Sequence, residues 1–153
     1  MNGWLIVHLL GVVLLVGNIA TAAFWKVRAD AQREPVVMYY AARNVMIADY
    51  CFTLPGIALI VASGIVMAVR ADWPMMGLNW LTVSLLLFAI TGVVWGAVLI
   101  PLQRAMIRHS AAAVASGIIP EAYGRASRLW AIFGIAATLL PIVILYLMVA
   151  KSF

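Results

Sequence analysis

Four long apolar runs, separated by shorter stretches that carry most of the charge, set the pattern of the chain. A helix needs about 20 apolar residues to cross a bilayer. The runs at residues 4–25, 46–69, 79–101 and 129–150 each reach that length. The first holds no charge and the second only Asp49. This predicts an all-α fold: an integral membrane bundle of four transmembrane helices, one domain over residues 1–153. Pro55 and Pro141 lie inside the second and fourth runs. They predict kinks, because a membrane helix tolerates a proline whose freed carbonyl a neighbour can satisfy. Residues 31–45 and 104–127 mix Tyr39, Tyr40, Ile107 and Val114 with arginines, as interfacial helices or helical extensions of the spans would.

Within the runs, the polar and small residues fall on single faces. His8, Gly11, Leu15, Asn18 and Ala22 recur at intervals of three and four, as do Asp49, Thr53, Gly56, Ile60, Ser63 and Met67. Residues so spaced share one side of a helix. The third run adds Thr91 beside Gly92 and Gly96. In lipid, small residues let backbones approach and polar ones hydrogen-bond across helices, so these faces are expected to meet. Asp49 lies near the inner end of its run at a depth comparable to Asn18. A carboxylate there needs a partner, and the expected structural polar set is Asn18, Asp49, Lys26 and Arg104, with Arg104 or Lys26 as the counter-ion.

Composition strengthens the membrane reading. The chain is 67% hydrophobic and 10% charged, with a mean hydropathy of +1.11, whereas soluble domains carry roughly 25% charged residues. The net charge of +5 follows the distribution of Lys and Arg rather than any nucleic-acid-binding pattern, and no nucleic-acid partner is expected. Lys26, Arg28, Arg33 and Arg43 follow the first run, and Arg104, Arg108, Arg125 and Arg128 follow the third; only Arg70 and Lys151 lie at the other end. By the positive-inside rule both longer connections are cytoplasmic and both termini are outside, in a multi-pass protein of the bacterial inner membrane. Ala20-Thr21-Ala22 has the look of a cleavage site, but no basic residue precedes the run, so an uncleaved helix is expected. Trp4, Trp25, Trp73, Trp80 and Trp130 fall at run ends, with Trp95, Tyr50 and Tyr146 near them, the placement of an interfacial aromatic belt. The lone cysteine, Cys51, lies in an apolar run and is expected to be a buried, inert thiol.

His8 is the main candidate for chemistry. It stands four residues after Trp4, roughly 6 Å below the outer interface at 1.5 Å per residue. A neutral imidazole can bind haem iron or copper, and Met67, Met75, Met76 and Met148 are soft groups at a similar level. His109 lies beyond the opposite end of the third run, which disfavours two histidine ligands within one protomer.

Several phrases resemble known families. His8-Leu9-Leu10-Gly11, Asp49 with Leu54-Pro55-Gly56, Ser63-Gly64, Asn79-Trp80-Leu81, Pro101-Leu102-Gln103-Arg104 and Trp130 with Gly134 look like a family of bacterial predicted integral membrane proteins classed as a domain of unknown function. That resemblance implies four helices and no defined activity. A more distant similarity is to the four-helix membrane protoporphyrinogen oxidases, through His8 and the tail Val149-Ala150-Lys151-Ser152-Phe153; it implies haem association. Asn79-Trp80-Leu81 stands where that family has histidine and lysine. Membrane copper-resistance proteins share the general look. The expectation is a small membrane protein of unknown activity binding haem b or a porphyrin through His8, with Trp4, Trp80 and Met148 as pocket walls. The alternatives are an assembly or packing subunit, as a homo-oligomer or in a membrane complex, and a metal or small-solute transport component. No enzymatic reaction is assigned.

Overall fold

The computed structural model describes residues 2–151, and every regular element in them is helical. The order is α1 (Asn2–Gln32), α2 (Pro35–Ala48), a π-helical turn (Asp49–Thr53), α3 (Leu54–Arg70), α4 (Trp80–Val93), a second π-helical segment (Val94–Leu99), α5 (Ile100–Ser116) and α6 (Glu121–Ala150). Because the π segments do not interrupt the rods, four long helices result: Gly3–Gln32, Pro35–Arg70, Trp80–Ser116 and Glu121–Ala150, each long and apolar enough to cross a membrane. The second rod has 36 residues, or roughly 54 Å at 1.5 Å per residue, against a hydrocarbon core of about 30 Å. The stretches 31–45 and 104–127 are therefore largely helical extensions of the spans. They are broken by a turn at Arg33 and by the Gly117–Pro120 connection, where Gly117 caps α5 in the left-handed region at φ 73°.

The two termini share one end of the bundle. There Arg70 lies 5.9 Å from the Trp4 ring, and Lys151 lies 4.8 and 5.2 Å from the rings of Trp73 and Trp80. Asn79 starts α4 at the same end. Its side chain accepts from the amides of Leu81 and Thr82, while Thr82 Oγ1 accepts from the Asn79 amide. Ser152 and Phe153 of the tail similarity lie outside the described residues.

Sidedness of the side chains is the reverse of a soluble protein. Leu5, Ile6, Val13, Ile65, Val69 and Ile132 face outward, whereas Asn18, Lys26, Asp49, Thr53, Ser63, Ser84 and Gln103 are buried. Lipid solvates the first group; the second finds hydrogen bonds only inside the bundle. The polar faces predicted for the first two runs are the ones that turn inward.

The helices approach unequally. α1 packs on α3 over the terminal half, where Gly11 and Gly56 bring the backbones together: a Cβ at Gly11 would stand 2.8 Å from the Gly56 carbonyl oxygen. Gly92 and Gly96 do not play that role, since a Cβ at either would meet nothing within 4 Å. The apolar core gathers in the other half, around Met38, Ala42, Val45, Leu99, Met106 and Trp130. Cys51 is exposed on the bundle surface rather than buried, because it lies on the opposite side of its helix from the Asp49–Thr53 face.

Candidate functional site

The two π segments share a local cause. Pro55 and Pro101 lack an amide hydrogen, and each ring clashes with the carbonyl four residues earlier. Each helix widens just before its proline: the Leu54 amide bonds the Asp49 carbonyl and the Ile100 amide bonds the Trp95 carbonyl, both five residues back. Asp49 and Trp95 therefore hold the same position relative to a proline, six residues ahead of it. Such bulges are often found at functional sites. Here they meet, with Trp95 Nε1 donating to Asp49 Oδ2 at 3.1 Å.

Asp49 is the hub. Its Oδ1 accepts from Asn18 Nδ2 at 2.9 Å and from Thr53 Oγ1 at 2.8 Å; its Oδ2 accepts from Trp95 Nε1 and, at 2.7 Å, from Gln103 Nε2. Asn18 Nδ2 also reaches Thr53 Oγ1 at 3.0 Å. Two donors on each oxygen match the lone-pair capacity of a carboxylate. Asp49 is only 6% exposed, and none of these donors is a cation. The expected counter-ions are elsewhere. Arg104 is exposed, and Lys26 pairs with Asp30. Lys26 sits one helical turn before Asp30 on α1, so their side chains meet at once, whereas Asp49 lies on another rod.

A second, partly buried cluster ties α1 to α6. Lys26, 1% exposed, contacts Asp30 and donates to Ser127 Oγ at 2.7 Å; Tyr123 Oη donates to Asp30 Oδ1 at 2.6 Å and Ser127 Oγ to Asp30 Oδ2 at 2.7 Å. The Lys26 ammonium lies 5.2 Å from the Tyr123 ring centre and 5.5 Å from that of Trp130. The i, i+4 spacing of Lys26 and Asp30 is a sequence signal for this pair; its partners on α6 left none.

Between these clusters is a cavity of about 350 Å³, bounded by α1, the two bulges, α4 and α6. Leu15, Ile19, Phe88, Ile135 and Leu139 give it apolar walls; Asp49, Thr53, Trp95, Gln103 and Trp130 supply its polar positions. Gly92 and Gly134 line it without filling it. Among the described residues, two buried side-chain polar atoms have no partner, Gln103 Oε1 and Trp130 Nε1, and both residues line this cavity. Trp95 and Trp130, read from the sequence as part of an aromatic belt, both line this cavity, Trp95 with its indole bonded to Asp49. A more open groove of about 670 Å³ runs between α1 and α2 past Asn18, Arg28 and Asn44.

His8 occupies a different level. Its Nδ1 lies 3.0 Å from Ser63 Oγ, and the Ser63 hydroxyl donates to the Leu59 carbonyl. The imidazole then donates through Nδ1 and keeps its lone pair on Nε2. The ring packs beside Gly64. Of the other residues expected around a haem, Trp4 lies against Arg70, Trp80 against Trp73 and Lys151, and Met148 is half-buried. Neither cavity reaches His8. Met67 is buried in α3, while Met76 is 89% exposed. No group of three or more His, Cys, Asp or Glu side chains suited to a metal ion occurs among the described residues.

The architecture is that of an all-helical integral membrane protein with four spans. The chain belongs to the family described as predicted integral membrane protein (DUF2269), which matches residues 4–152. No curated protein and no solved structure shows significant similarity to it.

Proposed function

We propose that this protein binds a small, largely apolar molecule within the membrane, in the cavity between α1 and α6. One observation carries the reading: a partly open apolar space of about 350 Å³ borders a carboxylate network built on two proline-induced bulges. The volume falls in the range of small-molecule sites, about 300–1,000 Å³, and an apolar wall with a few converging polar groups is their usual make-up. The Lys26–Asp30–Tyr123–Ser127 cluster joins the flanking helices at one end of this space, so a ligand would enter from lipid between α1 and α6. Gly134→Leu tests the proposal: a side chain there meets open space and would occupy the cavity without disturbing either polar cluster. Protein purified in lipid nanodiscs should carry a stoichiometric small molecule distinct from bulk lipid, or bind one saturably, and Gly134→Leu should lose it. Identical extracts from both proteins, matching bulk lipid, together with no saturable binding, would overturn the proposal.

A second reading, haem b or copper at His8, rests on the orientation of the imidazole. A histidine fixed through Nδ1 presents Nε2 as a ligand. Supplying haem to the purified protein tests it: a Soret band that vanishes in His8→Ala supports haem, and no band counts against it.

A further inference from the structure

We infer that the open groove between α1 and α2 is a binding site for one anionic phospholipid, drawn from the leaflet at the basic end of the bundle. The inference is independent of the cavity reading above. Arg28 is the one charged side chain among the residues that line this groove of about 670 Å³. Lys26, two residues earlier, is taken up by Asp30, and among the described residues Arg28 has no such ion-pair partner. Glu34 caps α2 in the turn and is not part of the lining. The groove therefore offers a cation and no acid.

The order of its other residues follows from one bond. Asn18 Nδ2 meets Asp49 Oδ1 at 2.9 Å, which sets these residues at one level on two rods that run in opposite directions from the turn at Arg33. Counted from that level at 1.5 Å per residue, Arg28 and Tyr40 lie roughly 14–15 Å toward the basic end, Asn44 about 8 Å in the same direction, and Phe52 about 4 Å the other way. Arg28 and Tyr40 are thus level with each other, Asn44 is about a turn deeper, and Ala22, Ala48 and Phe52 continue the groove toward the bilayer centre. A phospholipid presents its groups in the same sequence: phosphate, ester carbonyls, acyl chain. The guanidinium suits the phosphate with paired N–H donors. The Asn44 amide supplies a donor at the level of the esters, and the small and aromatic wall below takes the chain. Trp25, another lining residue, stands between the two levels, where interfacial indoles sit.

The lack of an acid in the lining selects the headgroup. Choline or ethanolamine would bring a second cation beside Arg28 with no carboxylate to receive it; a glycerol headgroup brings none. Eight of the ten Lys and Arg follow the first and third apolar runs, at this end. They draw anionic lipid to this surface, and their mutual repulsion opposes a second copy of the chain as the occupant.

The test is native mass spectrometry of the full chain in detergent, titrated with phosphatidylglycerol and with phosphatidylcholine of the same acyl chains. The first phosphatidylglycerol should bind about tenfold more tightly than phosphatidylcholine. Arg28→Gln should bring the two within twofold, and Arg28→Lys should keep at least a threefold preference. Arg108→Gln and Arg125→Gln, which alter exposed arginines outside the groove, should keep at least fivefold. Arg28 is itself exposed, so none of these changes touches the core. No preference in the unaltered protein, or a preference that survives Arg28→Gln, would overturn the inference. An equal loss in Arg108→Gln would also overturn it, reducing the effect to net charge. Displacement of the lipid by millimolar glycerol 3-phosphate would reassign the groove to a soluble phosphate and overturn the lipid as its occupant.

Discussion

Asp30 and Asp49 are two carboxylates of the same bundle, the first 24% exposed and the second 6%, and they are stabilised in opposite ways. Asp30 faces a cation: Lys26, one turn earlier on α1, contacts it, and Tyr123 and Ser127 of α6 complete the cluster. Asp49 has four neutral donors, drawn from α1, its own bulge, the second bulge and α5. The first arrangement clamps two helices together and leaves no lining residue unsatisfied except the Trp130 indole beside it. The second gathers three rods around one acceptor beside a cavity and leaves Gln103 Oε1 buried without a partner. An ion pair is suited to closing an interface. A carboxylate held by neutral dipoles fixes the geometry of the groups around it, and that is useful at a binding site.

The largest expected effect comes from removing the neutral hub. Asp49→Leu removes the acceptor of Thr53, Trp95 and Gln103, while Asn18 keeps its bond to Thr53 Oγ1; unsatisfied buried groups cost about 1–3 kcal/mol each, with incomplete additivity. A loss of roughly 3–5 kcal/mol is expected, read as thermal unfolding in detergent, and no single second substitution should restore it. Stability within 1 kcal/mol of the unaltered protein would show that the network does not hold the fold.

Lys26→Met should come next, at about 1–3 kcal/mol, because it strips the cation from Asp30; breaking a fully buried pair costs about 3–5 kcal/mol, less here because Asp30 is 24% exposed, whereas replacing both partners with apolar groups is often near neutral. The double variant Lys26→Met/Asp30→Leu should therefore be more stable than Lys26→Met alone. A double variant that is worse than the single would mean that Asp30, like Asp49, depends mainly on its neutral donors, and the contrast between the two sites would collapse.

The smallest effect is expected for Tyr123→Phe. It removes one donor from Asp30 Oδ1 and leaves Lys26 and Ser127 in place, so about 0.5–1.5 kcal/mol should be lost. A larger drop, measured in the same unfolding assay, would make the phenol rather than the ammonium the main support of that cluster.

Much of the fold was legible because a bilayer imposes strict rules. Four runs of sufficient length gave four helices, and the three-and-four spacing of Gly11, Asn18, Asp49, Thr53 and Ser63 correctly marked the faces that turn inward. Asn18 and Asp49 were correctly placed at one level, since depth along a helix follows from residue count. Helix ends were less legible: the rods continue well past the apolar runs, because propensity and tertiary packing sustain a helix after hydropathy falls. The glycines show the limit of pattern alone. Gly11 and Gly56 make a close backbone contact, while Gly92 and Gly96 border open space, although both pairs read as packing surfaces.

The sequence by itself determined the membrane class, the four helices and their inward faces; of the prolines it marked, Pro55 follows a π segment, whereas the matching segment before Pro101 was not anticipated and Pro141 lies within a continuous α-helix. Only the tertiary structure decided which charges meet. Lys26 went to Asp30 rather than Asp49, because a neighbour one turn away on the same helix is already in reach, whereas a partner on another rod depends on how the rods are rotated and crossed. That same rotation brought Trp95 and Gln103 to Asp49, set Trp130 beside Lys26, and formed the cavity that these residues line. Spacing along one helix cannot specify such a set, because its members come from four different helices and are assembled by packing.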